Sequence, residues 1–130
     1  MHLWYREAGV GSTSTPPVVF LHGGPGYNSY SFAALKGPRL ESTLRMIYLD
    51  QRGNGRSERP ANRDYAMTTL VADLEALRQQ LGVPRIAIIG HSFGTILALE
   101  YVARFPEHVS HLVLASVPAD LPVVCHVRLA

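Results

Sequence analysis

The sequence has a single cysteine, Cys125, in 130 residues. An intrachain disulfide framework is therefore excluded, as is a metal site built from several thiolates. A lone cysteine of this kind reads as a small hydrophobe. Like-charge runs are also missing. The 12 Lys and Arg residues nearly balance 10 Asp and Glu, for a formal charge of +2. Neither a basic nucleic-acid patch nor an acidic tail is expected from such a balance. No uninterrupted apolar stretch is long enough to span a membrane. The opening "MHLWYREAGVG" lacks the basic start and apolar core of a signal peptide. The expectation is a cytoplasmic chain with no nucleic-acid or membrane partner. Apolar residues make up 47% of the chain, a globular composition, and its length suits one domain or part of one. Internal repeats and low-complexity tracts are absent.

Short apolar runs alternate with loops and helical patterns. "LWYRE" reads as a short strand and "STSTPP" as a loop. "VVFL" (residues 18–21), "RMIYL" (45–49), "IAII" (86–89) and "LVLA" (112–115) read as strands buried on both faces. The clearest helix covers residues 69–81, where Leu70, Leu74, Leu77 and Leu81 form one stripe. Thr68 or Thr69 can cap its start, Asp73 suits its first turn, and Gly82 with Pro84 ends it. A second helix begins at Ser92 or Phe93, runs to Phe105 and stops at Pro106. It is apolar nearly all round between Ile96 and Val102 and reads as well covered. Residues 27–41 carry a weaker helix, broken near Gly37-Pro38. Strands alternating with helices define an α/β fold, a mostly parallel sheet with helices on both faces. Sites in such folds lie at the C-terminal ends of the strands. Here those ends are the loops starting at His22, Asp50, Gly90 and Ser116.

Gly90-His91-Ser92-Phe93-Gly94 fits G-x-S-x-G, preceded by a strand pattern and followed by a helix pattern. A sharp strand-to-helix turn strains the serine backbone and crowds the positions two residues either side, which glycine relieves. The serine hydroxyl then stands at a helix N-terminus, whose N–H groups favour developing negative charge. A tight turn that merely contains a serine is the plain alternative. "HGGPG" after the first buried strand brings backbone N–H groups close to a ligand. Gly24 and Phe93 are the expected pair of oxyanion donors; Pro25 has no N–H to give. Asp50 to Ser57 reads as a hydrogen-bonded turn, because turn chemistry alone explains its glycines and asparagine. His22 reads as a loop anchor. His91 neighbours the serine but points away from it. His108 and His111 fall at the far end of the sheet.

The motifs "LHGGPG", "YLDQRGNGRS" and "GHSFGT", in this order, resemble the α/β-hydrolase superfamily and are similar to its proline iminopeptidase-like group of serine hydrolases. The resemblance runs from about residue 3 to residue 118. It implies Ser92 as nucleophile, Gly24 and Phe93 as oxyanion donors, a small-molecule or short-peptide ester or amide substrate, and no metal or cofactor. That group usually carries tryptophan where Phe93 stands. Epoxide hydrolases and haloalkane dehalogenases carry an aspartate where Ser92 stands. The family's remaining triad members follow the serine as acid, then histidine. Asp120 and His126 satisfy that order, within residues 119–130 that read as an irregular tail. The resemblance otherwise implies that this is the N-terminal portion of one hydrolase domain, cut before the cap and last strands. Its last strand would then lie open for self-association.

Overall fold

The computed structural model describes residues 1–11 and 14–118. Five strands form one sheet: β1 (Tyr5–Gly9), β2 (Val18–Leu21), β3 (Arg45–Leu49), β4 (Ile86–His91) and β5 (Val109–Ala115). Their spatial order is β1-β3-β2-β4-β5. β1 runs antiparallel to β3, and the other neighbours are parallel. Three helices connect them: α1 (Tyr30–Glu41), α2 (Met67–Leu81) and α3 (Phe93–Arg104), with a 3-10 turn at Pro106–His108.

The alternation of side chains along each strand builds two cores. Val19 lies level with Ile47 on one side and Ile88 on the other. These three face α2 and α3, where Leu70, Leu74, Leu77, Leu97 and Tyr101 close over them. The residues between them, Val18, Phe20, Met46 and Tyr48, face α1 instead. Phe20 stacks on Phe32 of α1 at 3.8 Å between centroids. The apolar runs of β2 and β3 therefore serve two faces at once, as a parallel sheet requires. "LVLA" of β5 is not the doubly buried strand expected: Val113 and Ala115 are exposed, because no helix among the described residues covers that face.

Several boundaries differ from the sequence expectation, each for a local reason. α1 is not broken at Gly37-Pro38; it passes through Pro38 to Glu41. Pro38 is exposed, so water can serve the carbonyl that loses its helical partner. Gly37 is buried against Tyr48, where a Cβ would stand 2.9 Å from the phenolic oxygen. The last turn then delivers Glu41 to Tyr48, whose hydroxyl donates to it at 2.8 Å. α2 starts at Met67, with Ala66 and not a threonine at its N-cap. Asp64 does the capping work from outside the helix, accepting the Ala66 N–H at 3.1 Å and the Thr69 hydroxyl at 2.8 Å. At its other end Gly82 is left-handed, with φ 67°. Asp73 is not in the first turn, and it pairs with Arg52. α3 is covered on one side only, since Leu99 stays 44% exposed. β5 is longer than the apolar run 112–115, because Val109 and His111 also pair with β4, with Ser110 at a register shift between them.

Among the described residues β5 pairs with β4 alone. No helix among them is long and apolar enough to cross a membrane.

The burial pattern sets a contrast in stability. Leu74 is fully buried between α2 and the sheet, while Leu35 on α1 is 78% exposed. Leu74→Ala is expected to cost about 2–5 kcal/mol in urea unfolding, and Leu35→Ala within about 0.5 kcal/mol. Equal losses would contradict this placement of the core.

Candidate functional site

The C-terminal ends of β2, β3 and β4 meet at one edge of the sheet, and the loops that leave them are tied together. His22, at the end of β2, is 1% exposed. Its Nδ1 lies 2.9 Å from the Gly23 carbonyl, which can only accept. Its Nε2 accepts the Gln51 N–H at 3.0 Å. The two contacts fix a neutral ring protonated at Nδ1. The Gln51 amide returns a hydrogen bond to the His22 carbonyl at 2.9 Å. The ring is thus the loop anchor expected from the sequence, joining β2 to β3.

Asp50, buried at the end of β3, organises the next layer. Its Oδ1 accepts the Ser29 N–H at 2.8 Å and the Ser29 hydroxyl at 2.7 Å. Its Oδ2 accepts the Arg56 N–H at 3.0 Å. Arg52 grips Asp73 of α2 with two hydrogen bonds, at 2.6 and 2.8 Å, and reaches the Asp64 carbonyl at 2.9 Å. Asp73 holds the Arg52 guanidinium protonated more firmly than usual. The segment from Asp50 to Ser57 is structural, consistent with its turn chemistry.

Ser92 stands between β4 and α3 with φ 52° and ψ −118°. Non-glycine residues rarely adopt a positive φ, and functional sites are where such strain is kept. The surroundings hold it there. The Ser92 N–H donates to the Ala115 carbonyl at 3.0 Å. The Ser92 carbonyl accepts both the Thr95 N–H at 2.9 Å and the Thr95 hydroxyl at 2.6 Å. A Cβ on Gly90 would stand 2.7 Å from the Gly94 carbonyl oxygen, and one on Gly94 would collide with the Leu21 carbonyl. Both glycines are therefore demanded by close approach, as G-x-S-x-G implies. From the other side Gly23 closes on the serine: a Cβ there would lie 3.1 Å from the Ser92 Cβ.

The structure thus brings "HGGPG" beside the elbow and sets Phe93 as the first residue of α3. Gly24 follows Gly23 in that loop, and the Gly24-Pro25 peptide is cis. No histidine or carboxylate among the described residues hydrogen-bonds the Ser92 hydroxyl. His91 is exposed. His111 pairs with Ala87 near the start of β4, far from the serine. His108 Nδ1 faces Glu75 at 3.2 Å. Asp120 and His126 lie outside the described residues. Among the described residues no cluster of three or more His, Cys, Asp or Glu could hold a metal.

Two features escaped the sequence reading. One is the Arg52–Asp73 pair, which only tertiary contact reveals. The other is a cluster around Glu75, which accepts from Arg78 and, at 2.7 Å, from the Tyr101 hydroxyl. The i, i+3 spacing of Glu75 and Arg78 was the available signal. Arg78 foremost, despite opposing burial, holds the Glu75 carboxyl down to about 2. This cluster ties α3 and the following turn to α2.

Comparison with known proteins places this geometry. The chain belongs to the α/β-hydrolase fold family, whose sequence profile matches residues 16–125. It is 37% identical over 116 residues to a proline iminopeptidase of Lactobacillus helveticus, covering 87% of this chain and 39% of that protein. A proline iminopeptidase-related protein of Thermus thermophilus superposes with a TM-score of 0.77 at 32% identity, over 94% of this chain and 47% of that one. A marine microorganism esterase gives 0.80 at 25% identity, over 98% and 48%. The chain spans about two-fifths of the length of the curated relative.

The buried neutral His22 gives a pH prediction. Burial foremost lowers its pKa below the ordinary 6.5. Below that value the unfolded chain binds a proton that the folded chain refuses, so stability falls as pH drops. One such proton contributes a slope of at most about 1.4 kcal/mol per pH unit. Glu75 acts in a separate window, between its ordinary 4.5 and about 2. Urea unfolding between pH 7.5 and 5.5 should show this slope in the wild type and a flatter one in His22→Gln. Parallel pH profiles would contradict a neutral anchor.

Proposed function

We propose that Ser92 is the nucleophile of a serine hydrolase of the proline iminopeptidase-like group, acting on an ester or amide of a small molecule or short peptide. The observation that carries this is the Ser92 backbone, held at φ 52° by two glycines that admit no side chain. The hydroxyl oxygen would attack the carbonyl carbon, and the oxyanion would form beside the Phe93 N–H at the start of α3 and the Gly24 N–H of the adjoining loop. Phe93 gains from the helix dipole as well as from its own N–H. Kinship with proline iminopeptidases supports the peptide-like substrate, while the esterase neighbour supports acyl transfer more broadly.

The chain has no base for Ser92 among its described residues. Asp120 and His126 meet the order of a triad and lie outside the described residues. We assign the acid and histidine to the length of such a hydrolase that this chain does not span. The chain itself is then a weak catalyst, since an oxyanion hole and binding alone retain only about 10³–10⁴-fold over water. A fluorophosphonate probe checks the assignment. Slow labelling confined to Ser92 is expected, abolished in Ser92→Ala and unchanged in His126→Ala. Folded protein that resists labelling would sink the reading for this chain, and loss of labelling in His126→Ala would make His126 the base.

A second reading, a non-catalytic form that self-associates, has its own observation. Among the described residues β5 has no partner on its outer edge and carries no Lys, Pro or Asp, and its Val113 is 54% exposed. Such edges pair with further strands. Sedimentation should show concentration-dependent dimers that Val113→Lys disperses. A wild type that stays monomeric at millimolar concentration would eliminate this reading.

A further inference from the structure

A cavity of about 650 Å³, whose lining does not include Ser92, lies between α1, along its length from Tyr30 to Glu41, and the strands β1 and β3. Its volume falls in the range of small-molecule sites, ~300–1,000 Å³. A hollow beside His91 measures only about 200 Å³. The larger cleft has aromatic walls, contributed by Trp4, Tyr48, Tyr27 and Tyr30. Two guanidinium groups lie over these walls: Arg56 Cζ is 4.8 Å from the Trp4 ring centre and Arg6 Cζ is 5.0 Å from that of Tyr48.

The charges in the cleft are not equally occupied. Glu41 is engaged by Arg6 at 3.1 Å and by the Tyr48 hydroxyl at 2.8 Å. Asp50 is engaged by three donors, from Ser29 and the Arg56 backbone. Arg6 is thereby neutralised. The Arg56 guanidinium has no carboxylate partner among the described residues, and it lies over the Trp4 ring. Stacking leaves the in-plane N–H fork of an arginine free to donate, in a geometry that matches a carboxylate. The lining holds two guanidiniums and two carboxylates, so its formal charge sums to about zero. Arg56 is the charged group whose donors no carboxylate engages, which suits one carboxylate and disfavours a polyanion such as phosphate beside Glu41 and Asp50. Aromatic walls favour a flat apolar body over an aliphatic one.

We propose that this cleft binds a small aromatic monocarboxylate, with the ring against the Trp4 and tyrosine walls and the carboxylate on the Arg56 fork. The site is separate from Ser92 and does not depend on its being a nucleophile. It belongs to the fold's β1 side, where "LWYRE" and the turn after Asp50 come together.

The protein carries its own reporter, because Trp4 is its single tryptophan. Phenylacetate is the probe, with acetate (charge without ring) and benzyl alcohol (ring without charge) as controls. Phenylacetate should change Trp4 emission saturably, and both controls should bind at least about tenfold more weakly. Arg56→Gln should lose phenylacetate binding by a similar factor, with Arg56→Lys intermediate and Ser92→Ala unchanged. The Arg56 side chain is exposed and its structural hydrogen bond comes from the backbone, so these variants keep the fold. Lack of saturation, equal binding of acetate and phenylacetate, or full affinity in Arg56→Gln would each overturn the proposal. Loss of binding in Ser92→Ala would overturn the separateness of the site.

Discussion

The contact between Gly94 and the carbonyl of Leu21 is the constraint on which the site depends. It sets α3 directly against the end of β2, closer than any side chain would allow. With α3 so placed, the chain leaving β4 has one residue in which to reverse. That residue is Ser92, and its positive φ follows from the lack of room for a wider turn. The strain is offset by bonds made nearby, above all the pair that Thr95 donates to the Ser92 carbonyl. The serine is thus presented by packing distances, with no hydrogen bond of its own hydroxyl to a histidine or carboxylate among the described residues.

Around this contact the neighbouring loops are immobilised by polar groups sealed from water. His22 and Asp50 have little exposed surface. His22 donates to the Gly23 carbonyl and accepts the Gln51 N–H, and Asp50 accepts from the Ser29 N–H and hydroxyl and the Arg56 N–H. A buried polar group that loses its partner is costly, so these bonds are made together or not at all. The neutral His22 ring links β2 to β3, and Asp50 links β3 to the start of α1. Gly23 is held against Ser92 as a by-product of that network. The loop that would meet an oxyanion is therefore placed by the same residues that close the top of the sheet.

The sheet and its chemistry were legible in the sequence to different depths. Buried strands announce themselves as β-branched runs, because both faces need apolar cover. G-x-S-x-G between a strand and a helix is legible because the glycines are steric necessities. The Asp50 turn could be recognised as structural from its composition, yet its partners could not be foreseen. Arg52 reaches Asp73 across 21 positions of sequence, and no local pattern encodes that distance. Helix starts failed for a related reason. Asp64 caps α2 from outside it, and Thr69 takes part only by donating its hydroxyl to Asp64, not as the N-cap residue. Pro38 misled because the rule against proline weighs only the lost hydrogen bond. It does not weigh what the helix gains by carrying Glu41 on to Tyr48.

The two edges of the sheet are built on different principles, and this asymmetry bears on both functional readings. β1 is an antiparallel edge dressed with charge: Arg6 pairs with Glu41, and Glu7 with Arg45. Charged edge strands of this kind resist further pairing. β5 carries no such protection, and its only titratable side chain is His111. A sheet that guards one edge and leaves the other apolar is suited to growth on the unguarded side. Continuation of a hydrolase sheet and pairing with a second copy are two ways of meeting that same demand. They compete for one set of backbone groups, so a chain whose β5 edge is taken by further strands of its own fold cannot pair through it. The catalytic and the associative readings are therefore alternatives at the level of hydrogen bonds, and the state of the β5 edge decides between them.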